Sequence, residues 1–167
     1  IENGKKEKGK IPSRSVLFHQ YIYNKQPEIN SIILAHPPNI MAFAVTDAQF
    51  DARLIPESYI MLKTVKKLPF GSVFMQPELT SKEINPKNPV AIVENNCVIV
   101  TGTDLLNAFD RLEVMEYSAK SVIYTKRLGD IVTISPEQVN TNSCSFNGSS
   151  CCNAFIVFSG ASDLAPN

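Results

Sequence analysis

No apolar run in this chain of 167 residues reaches the roughly 18 to 20 residues that a helix needs to cross a bilayer. The N-terminus also lacks the apolar segment of a signal peptide, so a cytoplasmic protein with no membrane partner is expected. Charge of one sign is missing as well: sixteen basic and sixteen acidic residues cancel. That balance leaves no electrostatic reason to expect nucleic acid or an anionic membrane as partner. The local excess at Lys5-Lys6-Glu7-Lys8-Gly9-Lys10 reads as a solvated turn, with phosphate or nucleic-acid binding as the lesser alternative. The four cysteines are placed unevenly, and their spacings match no zinc knuckle or disulfide framework. Cys97 stands alone in an apolar run, and Cys144, Cys151 and Cys152 fall in a Ser/Asn-rich tail, the adjacent pair reading as free thiols. Asn147-Gly148-Ser149 fits a glycosylation sequon, which matters only in a secreted chain.

What is present is the balance of a globular protein, 44% hydrophobic and 19% charged, long enough for one core. One domain over residues 1–139 is expected, followed by a 140–167 tail. The organising stretch is Ile29 to Ala35, short, apolar and rich in β-branched residues, and therefore a strand. Pro37-Pro38 forbids its continuation, which leaves His36 at a strand's end. Alternation puts Leu34 and His36 on one face and Ala35 on the other.

Around this strand, residues 1–11 read as a polar hairpin or loop. Ser13 then caps a helix whose apolar side is Val16, Leu17, Phe18, Tyr21 and Ile22, ending near Pro27. Pro37-Pro38 opens a second helix with Ile40, Met41, Phe43, Ala44 and Val45 as its apolar set. Asp47 to Arg53 reads as a turn, and Ile55 to Leu62 as a strand, loop or short helix. A strand is expected over Val65 to Phe70 with a turn at Gly71, and a short helix within Glu78 to Asn88. Val90–Val93 and Val98–Val100 form a hairpin or bent strand around Glu94 to Cys97. Thr103 caps a long helix in which Leu105, Phe109, Leu112, Glu116, Ala119 and Ile123 recur at helical steps, ended by Lys126 to Gly129. Gly129 to Val139 reads as a connecting strand and turn, and Ala154 to Phe158 as an edge strand or an adhesive tail. The mixture, without strict alternation of strand and helix, predicts an α/β fold around one sheet with antiparallel pairs.

Several segments, in order and in register, resemble the class II aldolase/adducin family, and especially its L-fuculose-1-phosphate aldolase-like members. They are Gly9-Lys10-Ile11-Pro12-Ser13-Arg14-Ser15 with Phe18-His19 and Tyr23, then Pro27 through Pro37, Ile55-Pro56-Glu57, and Ala91 through Gly102. In the long helix Ala108-Phe109, Leu112-Glu113 and Ala119-Lys120 continue the match, which runs from about Gly9 to Val139. The resemblance implies an α/β/α sandwich around a mainly antiparallel central sheet. It also implies that the chain covers the later two-thirds of the family domain, without the upstream strands that help bind a substrate phosphate.

Active members hold zinc with three histidines. By the resemblance, Leu34 stands at the first ligand position, His36 at the second and Asn96 at the third, with Cys97 replacing a glycine. Ser15 stands where the acid/base glutamate would be. Retro-aldol cleavage needs a Lewis acid and a carboxylate, and a catalytic zinc needs three protein ligands. Cys97 as a thiolate is an alternative ligand, against the reading of a small buried apolar residue. His19 reads as a satisfied structural histidine rather than a ligand, and His36 as either a remaining ligand or a hydrogen-bonding group. Ser13 and Arg14 at a helix N-terminus are candidates for a residual phosphate site, against plain capping. Tyr59 lies near a segment where active members place a proton-donating tyrosine, against core or interface. The expectation is a family domain that has lost its zinc and acid/base site and serves binding or assembly, as in the adducin head. The alternatives are a zinc-dependent sugar-phosphate aldolase with ligands rebuilt or supplied by another subunit or segment, and one part of a longer or tandem-domain protein. The implied partners are a second copy in a homo-oligomer, a missing N-terminal segment and a small phosphorylated sugar.

Overall fold

The fold, taken from a computed structural model that describes residues 8–125, 127–135 and 137–138, is built outward from two strands buried on both faces. β3 (Val90–Val93) and β4 (Val98–Gly102) form an antiparallel hairpin in which every residue of both strands is buried. Strands rich in valine and isoleucine can sit between two apolar layers, because successive side chains serve opposite faces. β1 (Ser31–Ala35) pairs antiparallel with β4, Ser31 opposite Gly102 and Ala35 opposite Val98. β2 (Lys66–Leu68) pairs parallel with β3, giving the order β1-β4-β3-β2. Two of the three pairings are antiparallel, as the sequence suggests.

Helices cover both faces. On one side α2 (Pro38–Ala44), α3 (Pro56–Leu62) and α6 (Leu105–Thr125) close a core of Ile40, Phe43, Leu62, Val90, Ile92, Val98, Val100, Met115 and Val122. On the other, α1 (Val16–Lys25), α4 (Ser72–Met75) and α5 (Pro77–Glu83) close a core containing Phe18, Ile22, Val73, Ala91, Val93, Cys97 and Ile99. Ile32 and Leu34 of β1 pack with the second core, Ile33 and Ala35 with the first. The alternation expected for Leu34 and Ala35 is therefore the one observed, and the architecture is the expected α/β/α sandwich.

Several local expectations change. The first strand begins at Ser31, because the Ile29 N–H bonds back to the Gln26 carbonyl in a turn. The expected strand over Val65 to Phe70 shrinks to three residues and is followed by Gly71 in the left-handed region, φ 81°, and then directly by α4. Ile55 to Leu62 resolves into α3, with Pro56 at its first position, where a missing N–H costs nothing. The helix expected within Glu78 to Asn88 is α5, which starts one residue earlier and stops at Glu83. Thr103 does not cap α6: the Asp104 carboxylate accepts the Asn107 N–H at 2.8 Å, and the Asn107 side chain accepts the Thr103 N–H. The buried stripe of α6 is Ala108, Met115, Ser118, Ala119 and Val122, so Leu105 and Phe109 lie outside it. Gly102 lets β4 run close under the start of α6, since a Cβ there would stand 2.5 Å from the Ala108 nitrogen. Among the described residues of 129–139 there is no strand; one backbone bond, Ile134 N–H to the Arg53 carbonyl at 2.9 Å, ties this stretch to the body. Lys5 to Glu7 and the Ala154 to Phe158 stretch lie outside the described residues.

Candidate functional site

The end of β1 and the turn of the β3–β4 hairpin meet at one end of the sheet. Leu34 pairs with Ile99 and Ala35 with Val98; carried one residue further, this register sets His36 across from Cys97. The turn is fixed by backbone bonds to three neighbours. The Val93 N–H donates to the Cys97 carbonyl at 2.8 Å, the Glu94 N–H to Leu68 at 2.9 Å and the Asn95 N–H to Ala44 at 3.0 Å. Asn95 takes φ 50°, a left-handed position that asparagine tolerates better than most residues. His36 is exposed, Asn96 half-buried and Leu34 half-buried against the α1 side core. Cys97 is 2% exposed in the same core, and burial pushes its thiol pKa up to about 11.

The chain after His36 is held by a residue the sequence does not advertise. Glu116 of α6 accepts the Asn39 and Ile40 N–H groups, each at 3.0 Å, and the Asn39 side-chain amide at 2.6 Å. A helix opened by prolines has no side-chain cap of its own here, and this carboxylate supplies the missing acceptor. Glu116 stands on the apolar repeat of the long helix, so its half-buried position was legible. Its partners are 76 and 77 residues away in sequence, and no local pattern names them.

The second group of candidates lies where α1 begins. The cap position of α1 is Ser15, not Ser13, and it makes no side-chain cap bond. The Ser13 hydroxyl instead accepts the Ser15 N–H at 3.3 Å and lies 3.0 Å from the buried Ser15 hydroxyl, closing a tight turn before the helix. The Arg14 guanidinium sits 4.8 Å from the centre of the Phe74 ring, a cation–π contact that ties this turn to α4. No hydrogen bond or ion pair among the described residues joins the Ser13–Ser15 turn to His36.

Two buried polar atoms have no hydrogen-bond partner among the described residues, His19 Nε2 and the Tyr59 hydroxyl. The expectation of a satisfied histidine at position 19 therefore fails, and burial holds its imidazole pKa below the ordinary value. Tyr59 lies 8% exposed on α3, which packs against α6. Beside it, the Ser58 and Ser118 hydroxyls pair at 2.6 Å in the buried α3–α6 contact. No group of three or more His, Cys, Asp or Glu side chains that could hold a metal occurs among the described residues.

The profile of the class II aldolase and adducin N-terminal domain matches residues 1–123. The chain belongs to this family. An L-fuculose phosphate aldolase of Methanocaldococcus jannaschii is 34% identical over 116 residues, 68% of this chain and 61% of the relative. A 3-oxo-tetronate 4-phosphate decarboxylase of Haemophilus influenzae is 29% identical over 119 residues, 67% of this chain and 56% of the relative. The chain thus spans only 56% to 61% of the length of these relatives. Among solved structures, YgbL of Escherichia coli superposes with a TM-score of 0.70 at 19% identity, over 80% of this chain and 66% of that one. An L-fuculose 1-phosphate aldolase superposes with a TM-score of 0.65 at 21% identity, over 84% and 66%. These likenesses establish the class II aldolase fold for the sandwich described above. Among the described residues of this class II aldolase-family domain, no helix is long and apolar enough to cross a membrane.

Proposed function

We propose that this class II aldolase-family domain has lost the zinc and acid/base chemistry of its active relatives and serves in binding or assembly. The observation that carries the reading is the donor set at the end of the sheet. Of the three ligand positions implied by the resemblance, Leu34 offers a side chain packed in an apolar core, Asn96 a weakly donating amide, and His36 a single imidazole. A catalytic zinc takes three nitrogen, sulfur or carboxylate ligands, so these residues do not fit it. Cys97 does not repair the set as it stands, because its side chain is 2% exposed among the apolar side chains of the α1-side core, where it packs as a small apolar residue. Ser15, at the position of the acid/base glutamate, has its hydroxyl turned to Ser13 and cannot ionise to move protons in that role. Ser13 and Arg14 remain on the surface as the residues we assign to any phosphorylated sugar that still binds, the Arg14 charge being held in place over Phe74.

A second reading is favoured by the length relation. A chain that spans 56% to 61% of its relatives leaves room for ligands from a further segment or a neighbouring subunit, and the imidazole nitrogen of His19 has no partner among the described residues. On this reading the domain takes part in zinc-dependent cleavage of a ketose 1-phosphate to dihydroxyacetone phosphate and an aldehyde.

The deciding measurement is zinc bound per chain by elemental analysis of protein purified without chelators, with His36→Ala as control, together with an aldol-cleavage assay. We expect no stoichiometric zinc in either protein and no cleavage. Close to one zinc per chain that disappears in His36→Ala would overturn the reading in favour of a rebuilt centre.

A further inference from the structure

The sheet ends in two edges, and only one of them is blunted. β2 offers three residues with Lys66 and Lys67 among them, the shortness and charge by which exposed edges avoid accepting a further strand. β1 offers five, Ser-Ile-Ile-Leu-Ala, with neither charge nor proline. The bonds of the β3–β4 hairpin fix which of its backbone groups face outward. The Val93 N–H donates to the Cys97 carbonyl and the Thr101 N–H to the Pro89 carbonyl, so Cys97, Ile99 and Thr101 turn their backbone groups to β3. Val98, Val100 and Gly102 therefore bond to β1, at Ala35, Ile33 and Ser31. The N–H and C=O groups of Ile32 and Leu34 are left pointing to the open side. The Tyr23 hydroxyl accepts the Ile32 N–H. The Leu34 N–H and C=O have no backbone partner among the described residues.

The side chains of β1 are in the same condition. Ile32 and Leu34 pack on one apolar layer and Ile33 and Ala35 on the other, yet all four are only half-buried, whereas every residue of β3 and β4 is buried. A strand laid against this edge lies between the same two layers and has to be apolar on both faces. Outside the described residues the chain has one such stretch, Ala154-Phe155-Ile156-Val157-Phe158. It is as long as β1, carries no polar side chain, and is bounded by Asn153 on one side and Ser159-Gly160 on the other. The polar run from 139 to 153 joins it to the last described residue, 138, and at full extension spans about 50 Å, enough to reach either edge of a domain of this size.

We propose that residues 154–158 add to the β1 edge of their own chain as a further strand, taking the outward N–H and C=O groups of Leu34 and Ile32. Phe155 and Val157 then fall on one apolar layer and Ile156 on the other, because successive side chains of a strand serve opposite faces. The Tyr23 hydroxyl gives up the Ile32 N–H to the new strand and returns to water, on a ring that is already 43% exposed. The inference goes beyond the proposed function and holds whether or not zinc is bound, since it concerns the edge of the sheet and not the donor set at its end.

The test is residue-resolved amide hydrogen exchange on the full chain by nuclear magnetic resonance, with Ile33, whose N–H bonds inward to β4, as the internal reference. In the wild-type chain the Leu34 amide is expected to be protected to a degree comparable with Ile33. In the double variant Phe155→Asp with Ile156→Asp, which puts a charge on each face of the added strand, Leu34 is expected to exchange at least about tenfold faster while Ile33 is unchanged. Ser143→Asp, a charge elsewhere in the tail, should leave both amides as in wild type. A Leu34 amide that exchanges in the wild-type chain as freely as one open to water would overturn the proposal, and so would protection that the double variant leaves intact. Protection that fades on dilution would overturn it too, by showing that another copy supplies the strand. So would effects of the double variant confined to the groove of Leu68, Phe70, Met75 and Leu79, which would place the tail on the far edge of the sheet.

Discussion

Cys97 is held as a neutral thiol by the apolar side chains around it, and this gives the folded state a pH dependence of its own. In the unfolded chain a thiol ionises near 9, whereas burial raises Cys97 to about 11. Between these values the unfolded state has given up a proton that the folded state keeps, so stability falls as pH rises. The contribution is fully present below about pH 9 and is lost progressively towards pH 11. Urea unfolding of wild type and Cys97→Ala across this window should show wild type losing stability relative to the variant; parallel pH profiles would contradict the burial argument. The sequence reading of Cys97 as a small buried apolar residue needed only its neighbours, Val93 and Val98, to be legible. The orphaned His19 nitrogen was not legible, because whether a helix histidine finds a partner depends on side chains from other elements.

At the scale of elements, β1 and α2 form a corner whose two halves differ in origin. The turn itself is written locally, in Pro37 and Pro38. The direction in which α2 leaves it is fixed from across the molecule by Glu116. Glu116→Ala removes three hydrogen bonds to a charged acceptor, and at 1.5 to 3 kcal/mol for such bonds individually, with partial replacement by water at this half-buried place, a loss of about 2 to 3 kcal/mol is expected. Glu116→Gln should lose less, since it keeps one acceptor oxygen. Denaturant unfolding checks both, and a change within about 0.5 kcal/mol for Glu116→Ala would show that the bonds contribute nothing net. Elements with strong local signals, the β3–β4 hairpin and α6, were readable in kind. The rotation of α6 was not, because Leu105 and Phe109 continue one apolar repeat as well as Ala108, Met115 and Val122 form another, and the face that meets the sheet is set by the close approach of Gly102 to Ala108. α3 was unreadable for a related reason: seven residues with Ser58 and Tyr59 buried among them carry too few turns for a periodicity to emerge.

For the molecule as a whole, the resemblance and the composition together anticipated the sandwich. They could not anticipate the details of the candidate site, because those depend on which side chains from distant segments face one another. The two apolar layers share only the backbone of the sheet between them. Ile22 of α1 lies in one and Val122 of α6 in the other. Truncations in the separate layers should therefore add: the cost of Ile22→Val plus that of Val122→Ala should match the double variant within about 0.5 kcal/mol. A larger coupling would mean that packing strain passes through the strands.

Val90, Ile92, Val98 and Val100 support one layer, while Ala91, Val93, Cys97 and Ile99 support the other. Neighbouring codons in the same hairpin thus answer to different constraints. Change can accumulate around α1, where Ser13 and Ser15 lie, without being answered by change around α6, so the two halves of the sandwich are free to follow separate histories on a common backbone.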